Sequence, residues 1–336
     1  MATATGLLMP HKSATSTDEP IVIVMPVYND WSAFVQVVED LDVVLADAGL
    51  AASIVAVDDA STMPLPDATG AGRFKAVRSI EVLSLRRNLG HQRAIALGLA
   101  FVHSRAAGTV VVMDSDGEDS PADVPRLLER LRREDARLVV FAERTRRSES
   151  VVFQAGYALY RIVHFILTGR GVRFGNFSAV PAARLNALVG AAELWNHFAA
   201  AVVKTRQPYC TIPTQRAKRL DGKSAMRYVD LVVHGLSAIS VYGDIIGARL
   251  LIGVLVLGVS LIIGIATAIG VGASAATIPG WVSIVVALML IMLFQTVLFA
   301  FFLSFVILNG RQANSFLPYR DYTSFVAGTH VLFPKS

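Results

Sequence analysis

Thr109-Val110-Val111-Val112-Met113-Asp114-Ser115-Asp116-Gly117-Glu118 is the stretch on which the fold turns. Its first half is a short, unbroken apolar run, the pattern of a strand buried on both faces in a parallel sheet, and it closes on a carboxylate. The pattern recurs at residues 21–25, closed by Pro26, and at 54–57, closed by Asp58-Asp59-Ala60-Ser61. Residues 80–85 repeat it before the loop Arg86-Arg87-Asn88-Leu89-Gly90. Between these runs, 31–48 and 91–103 have helical character, and 121–133 reads as a helix after the fourth. Strand and helix in this order predict a doubly wound α/β sheet. Such sheets bind ligands beyond the carboxyl ends of their strands. Tyr28-Asn29-Asp30, Asp58-Asp59, Arg86-Arg87-Asn88 and Asp114–Glu118 are therefore expected to converge on one edge.

The chain of 336 residues is 54% hydrophobic, with a mean hydropathy of +0.53, too apolar for a purely soluble enzyme. The excess lies near the C-terminal end, at residues 250–269 and 281–308, each long enough to cross a hydrocarbon core of about 30 Å. The link 270–280 carries no charge, while Arg216, Lys218, Arg219, Lys223 and Arg227 precede the first span and Arg311, Arg320 and Lys335 follow the second. The positive-inside rule then places both ends in the cytoplasm. Arg249 begins the first span and can snorkel; Gln295, deep in the second, is expected to bond the other helix. Gly253, Gly258 and Gly264 permit close packing within or between chains, which leaves homo-oligomerisation open. Residues 1–19 read as a disordered lead-in without a signal peptide. The single cysteine, Cys210, excludes an internal disulfide framework. The net charge of +5 is no sign of nucleic-acid binding, because the basic residues gather beside the spans, where anionic headgroups sit. Residues 151–167 and 228–242 are candidate interfacial helices, and His164, His197 and His234 are expected to serve packing.

Asp114, Asp116 and Glu118 alternate, so an extended segment would point all three carboxylates to one side. That arrangement is unfavourable without a cation, and hard oxygen ligands suit Mg²⁺ or Mn²⁺. Such an ion would neutralise a departing diphosphate. The competing reading is a solvated acidic turn, with Asp119-Ser120-Pro121 resembling a helix cap. No glycine-rich P-loop or dinucleotide loop occurs, which speaks against an ATPase or dehydrogenase.

Val24-Met25-Pro26-Val27-Tyr28-Asn29-Asp30, Val57-Asp58-Asp59-Ala60-Ser61, Asn88-Leu89-Gly90 with Ala94 and Ala96-Leu97-Gly98, and Met113-Asp114-Ser115-Asp116 together resemble the ordered blocks of family-two glycosyltransferases with the GT-A fold. Over residues 20–310 the chain looks most like the polyprenyl-phosphate glycosyltransferases, the group of dolichol-phosphate mannose synthase and undecaprenyl-phosphate glucosyltransferases. The resemblance implies that Pro26, Tyr28, Asp30 and Asp58 hold the nucleoside and that Asp114, Asp116 and Glu118 ligate the metal. Arg144 falls where a donor-phosphate contact is usual, although Ala142-Glu143 departs from the pattern. Arg216-Ala217-Lys218-Arg219-Leu220-Asp221-Gly222-Lys223-Ser224 is similar to the segment that closes the active site, so Arg216, Arg219, Lys223 and Ser224 are expected at the acceptor or diphosphate. Asn176 stands where relatives often carry aspartate; an amide cannot act as a base, whereas a phosphate acceptor, already anionic, needs none.

The expected organisation is a lead-in at 1–19, a GT-A nucleotide-sugar domain at 20–227, a juxtamembrane amphipathic helix at 228–248, a transmembrane hairpin at 249–310 and a cytoplasmic tail at 311–336. The expected activity is inverting, metal-dependent transfer of a sugar from a nucleotide diphosphate to a polyprenyl phosphate at the cytoplasmic membrane face. The competing readings are transfer to another lipid or glycan, including polysaccharide synthesis, and a catalytically silent membrane scaffold. Absence of a Gln-x-x-Arg-Trp motif counts against polymer synthesis. Retention of Asp114, Asp116 and Glu118 counts against the scaffold.

Overall fold

Residues 20–65, 74–144, 162–169, 175–215, 217, 219–220, 235–272, 280–312 and 316–334 are described by a computed structural model. The four apolar runs form β1 (Ile21–Val27), β2 (Ala52–Asp58), β3 (Val77–Leu85) and β4 (Thr109–Val112), mutually parallel in the order β4-β1-β2-β3. Along β1, Ile23, Met25 and Val27 enter one apolar cluster and Val24 the other. With both faces covered, the alternation of side chains leaves no polar position, hence the unbroken runs.

Helices α1 (Trp31–Asp47) and α3 (Asp123–Arg133) cover the first face. The other is covered by α2 (His91–Ser104), α4 (Ala182–Val189) and α5 (Phe198–Lys204). Gly98 lets α2 lie directly on the sheet: a Cβ there would meet Val24 Cγ1 at 2.6 Å and Val57 Cγ2 at 2.7 Å. Both are branched side chains on rigid strands with little room to yield. Gly98→Ala is expected to destabilise the domain by about 1–3 kcal/mol through overpacking. Denaturant unfolding measures it, and an unchanged midpoint would contradict this packing.

Four further strands extend the sheet. β5 (Val139–Arg144), β6 (Ser178–Pro181) and β7 (Tyr209–Thr214) add to the β4 side, and β8 (Val326–Phe333) pairs antiparallel with β3 at the far edge. The sheet is mixed, since β6 runs antiparallel to both β4 and β5. The architecture matches the expected fold class: a doubly wound mixed α/β sheet followed by two long apolar helices.

Those helices are α6 (Gly243–Gly272) and α7 (Gly280–Gln312), packed on each other. Their most apolar stretches, Gly243–Gly264 and Val286–Val306, are only 11% and 6% buried, unlike core helices of a soluble domain. Gly253, Gly258 and Gly264 face open space, so they do not bring the pair together. Gln295 is exposed and makes no bond to α6 among the described residues. That corrects the expected interhelical contact: the packed side of α7 lies elsewhere on its circumference. The start of α6 is docked on the sheet domain, where Lys204 pairs with Asp244 and the buried Tyr242 packs against Ala200. Arg249 donates to the Ile166 carbonyl at 2.7 Å, at the end of a helix over 162–168. That helix exposes Ile162, Phe165 and Ile166 and buries His164 and Thr168, the two faces expected of an interfacial segment. His197 caps α5, and His164 stacks edge-on to Tyr242, both packing roles as expected. The expected helix at 228–248 is divided: residues 228–234 lie outside the described residues, 235–240 form a helix, and a turn at 241–242 precedes α6.

After α7 the chain returns to the sheet. Phe316 and Phe325 pack with Trp195, and Tyr322 donates to Ser104 Oγ on α2 at 3.1 Å. β8 follows, so the segment read as a tail contributes the edge strand.

Candidate active site

The strand-end loops are bound to one another at the carboxyl edge. Beyond β1, Asn29 has φ +58° and accepts from the Thr62 and Met63 N–H groups at 2.8 and 3.0 Å, while its own N–H donates to Ser61 Oγ. Asp58 Oδ1 accepts the Ser61 N–H, so the ends of β1 and β2 form one unit. Pro26 lies within β1 opposite Val57, and Tyr28 is exposed. Asp59 is buried and accepts the N–H groups of Leu89 and Gly90 at 2.7 and 2.8 Å, which holds the β3–α2 loop against β2. Burial raises its carboxyl above the usual range, and the two N–H bonds partly offset that.

Beyond β4 the chain does not stay extended. It turns at 115–117 with Gly117 at φ +82°, and Glu118 N–H donates to Asp116 Oδ1 at 2.9 Å. The alternation argument for three carboxylates on one side therefore fails. Among the described residues no three His, Cys, Asp or Glu side chains are gathered as a metal group. Asp119 is not a helix cap either: its Oδ2 accepts the Asp114 N–H at 3.0 Å, and α3 starts at Asp123 without a side-chain cap. Ser115 ties the turn to β1 through the Pro26 carbonyl at 2.8 Å.

Ala217, Arg219 and Leu220, which precede the first long apolar helix in the chain, lie across this turn. Ala217 N–H donates to the Glu118 carbonyl at 3.0 Å, and Leu220 N–H to that of Asp116 at 3.1 Å. Leu220 sits so close over Gly117 that a Cβ there would meet its Cγ at 2.5 Å. Arg219 spreads its guanidinium between two loops, with Nη2 donating to Asp30 Oδ2 at 2.6 Å and Nη1 to Asp116 Oδ2 at 3.2 Å. A guanidinium between carboxylates marks a place where positive charge is favoured. Carboxylate oxygens such as those of Asp116 at that place and Asp114 beside His91 are of the hard donor type that suits a divalent cation.

His91, Gln92 and Asn176 complete the edge. His91 Nε2 lies 3.3 Å from Asp114 Oδ1 and 3.1 Å from Asn176 Nδ2, and Asn176 Oδ1 accepts from Gln92 Nε2 at 3.2 Å. Desolvation lowers the His91 pKa, while the Asp119, Asp116 and Asp59 carboxylates oppose the shift; 36% of the side chain still meets solvent. Sequence reasoning placed Asp59 at this edge without a role and missed His91 and Gln92. The usable signal was position: His91 and Gln92 open a helix directly after a strand-end loop, within reach of the edge.

Of the expected residues, Asp30, Asp58, Asp114, Asp116, Asn176 and Arg219 lie at this edge, with Pro26 in the strand beneath it. Arg144 ends β5 opposite Thr214. Arg216, Lys223 and Ser224 lie outside the described residues.

Residues 22–182 match the family described as Glycosyl transferase family 2. Among curated proteins, the chain is similar to an undecaprenyl-phosphate 4-deoxy-4-formamido-L-arabinose transferase of Pseudomonas aeruginosa, 30% identical over 110 residues, covering 33% of this chain and 32% of that one. The counterpart from Erwinia tasmaniensis is 28% identical over 109 residues, 32% of this chain and 33% of its own. The match thus spans about a third of the length of these relatives. Among solved structures, glucosyl-3-phosphoglycerate synthase from Mycobacterium tuberculosis, in complex with Mn²⁺, UDP-glucose and phosphoglyceric acid, superposes with a TM-score of 0.49 at 18% identity, covering 73% of this chain and 86% of that one.

Proposed function

We propose that this chain, whose residues 22–182 match the family described as Glycosyl transferase family 2, transfers a sugar, with inversion, from a nucleotide diphosphate to a polyprenyl phosphate at the cytoplasmic face of a membrane. The observation that carries this reading is the reach of Arg219. A cation from the segment that leads into the first apolar helix bridges the end of β1 to the end of β4. Donor edge and membrane side thus meet at one residue, as a water-soluble donor and a lipid-borne acceptor require. The curated relatives, named as undecaprenyl-phosphate sugar transferases, support the acceptor class.

In this reading Pro26, Tyr28, Asp30 and Asp58 receive the nucleoside. Asp114 and Asp116, with Glu118 beside them, would hold a Mg²⁺ or Mn²⁺ ion, whose chemistry is to neutralise the leaving diphosphate. Arg219 lies where it can pass from the carboxylates to phosphate oxygens, and Arg144, Arg216, Lys223 and Ser224 are assigned to the same phosphates or to the acceptor. An oxygen of the lipid phosphate attacks the anomeric carbon. The new C–O bond forms as the bond to the nucleotide diphosphate breaks, and no proton need be removed from the acceptor. Apposition of β8 to β3 supports the topology, because a chain that leaves one sheet and rejoins it must cross a membrane an even number of times.

Purified protein, labelled nucleotide sugars and undecaprenyl phosphate in detergent provide the test. Label is expected in the lipid phase, abolished by EDTA and restored by Mg²⁺ or Mn²⁺. No lipid label with any of the common UDP-, GDP- and dTDP-sugars would remove the reading, and a growing polymer would replace it with polysaccharide synthesis.

A further inference from the structure

The chain that returns from α7 grips the β3–α2 loop at both ends. β8 pairs with β3 in steady register from Glu81 to Ser84, and the register then shifts before the last pair, Leu85 with Val326. Beyond that shift the Arg86 N–H donates to the Phe325 carbonyl at 2.9 Å. A ladder interrupted in this way no longer dictates where the next carbonyl points. The Phe325 side chain supplies the missing anchor: its ring packs on Trp195 at 5.1 Å and edge-on to Phe316 at 5.2 Å. The Trp195 ring in turn lies under the Arg93 guanidinium, 5.1 Å from its centroid. Arg86 and Arg93 bracket the loop and the first turn of α2, which bring His91 and Gln92 to the edge of the site. Between them, the Asp59 carboxylate takes the Leu89 and Gly90 N–H groups. The loop is thus fixed from the sheet at its centre and from the returning chain at its two ends.

We propose that Phe325 is a positioning residue: through its carbonyl on Arg86 and its ring on Trp195 it sets the β3–α2 loop against the end of β2, where the nucleoside of the donor is received. The proposal rests on the transfer reading above and deepens it. Asp59, which holds the loop, is the neighbour of Asp58, which ties the end of β2 to the end of β1 through Ser61. A loop that shifts therefore moves one wall of the nucleoside site. Asp116 and Arg219 lie beyond β4, two strands removed from β3 in the order β4-β1-β2-β3, and are bonded to each other there. Loss of the Phe325 anchor thus weakens donor binding more than it slows the transfer step. The membrane hairpin is also tied to one helical layer at both ends: α6 starts from α5, and the chain beyond α7 closes on the loop that opens α2.

Phe325→Ala in the full-length protein tests this. Amide hydrogen exchange, read by mass spectrometry in detergent, is expected to quicken about 10-fold over residues 86–92 while β1 keeps its wild-type rate, which separates a moved loop from a destabilised domain. With undecaprenyl phosphate and the labelled nucleotide sugar that the wild type uses, the donor KM is expected to rise about 5- to 20-fold, with kcat within about threefold and the lipid KM within about twofold. Phe325→Val keeps part of the apolar contact on Trp195; it is expected to give a smaller change in the same direction and serves if the alanine variant folds poorly. Val331→Ala, in the exposed middle of β8, is expected to change neither reading. Wild-type exchange over 86–92 in both Phe325 variants overturns the anchoring. Faster exchange there with an unchanged donor KM overturns its part in donor binding, and an equal response to Val331→Ala shows an effect of β8 as a whole and overturns the role of Phe325. Exchange is read without turnover, so a protein inactive on every donor and acceptor pair counts against the transfer reading and leaves the anchoring result legible.

Discussion

Asp116→Asn is expected to lower sugar transfer about 10³-fold while leaving the protein folded and in the membrane. Asp116 occupies the turn beyond β4, where Oδ1 takes the Glu118 N–H and Oδ2 takes Arg219. An amide of the same shape can keep one of these bonds. It cannot supply the negative charge that a divalent cation and Arg219 both need. Loss of about 4 kcal/mol of stabilisation of a leaving diphosphate corresponds to about three powers of ten in rate. Initial rates at saturating donor measure the effect, and size-exclusion elution in detergent checks the fold. A variant with near wild-type activity would remove Asp116 from the metal assignment.

Arg219→Ala is expected to cost about 10²-fold in kcat/KM for the donor. The guanidinium is 18% exposed and joins carboxylates at the ends of two strands, so its removal leaves Asp30 and Asp116 without the cation between them. Arg219→Lys tests the geometry as well as the charge. A lysine ammonium is a point charge on a flexible stem and cannot present two nitrogens in a fixed fork, so it is expected to recover less than about a tenth of the lost activity. Recovery to wild-type rates by lysine would show that charge alone suffices and that the bridge between the strands is immaterial.

The central strands were readable because each is covered on both faces, which forces unbroken apolar runs such as 109–113. Their ends fell within two or three residues of the observed ones. The outer strands were not. β6 is four residues ending in Pro181, and β7 contains Pro213 and exposes Tyr209, so neither has the run of a central strand. β8 pairs with a strand more than two hundred residues earlier, and each of its residues is half-buried or exposed, without a regular alternation. Nothing local distinguishes it from a polar tail with a few apolar residues.

The strand-end rule anticipated that Asp30, Asp58, Asp114 and Asp116 lie at one edge of the sheet, and the basic segment anticipated Arg219 beside them. Failure came where geometry was inferred from spacing. Alternating carboxylates imply a common side only in an extended chain, and Gly117 at φ +82° breaks that condition. Gln92 was invisible for a different reason. Its meaning lies in Asn176 and Phe198, 84 and 106 residues away, and a glutamine in the first turn of a helix gives no sign of such partners.

Transfer to undecaprenyl phosphate labelled with ¹⁸O in its three terminal phosphate oxygens tests the central claim most directly. If the lipid phosphate attacks the anomeric carbon, mass spectrometry will find one phosphate in the lipid product with all three labels retained, and the released nucleoside diphosphate will carry none. Label in the released nucleotide, or a product with a second phosphorus derived from the donor, would contradict the account.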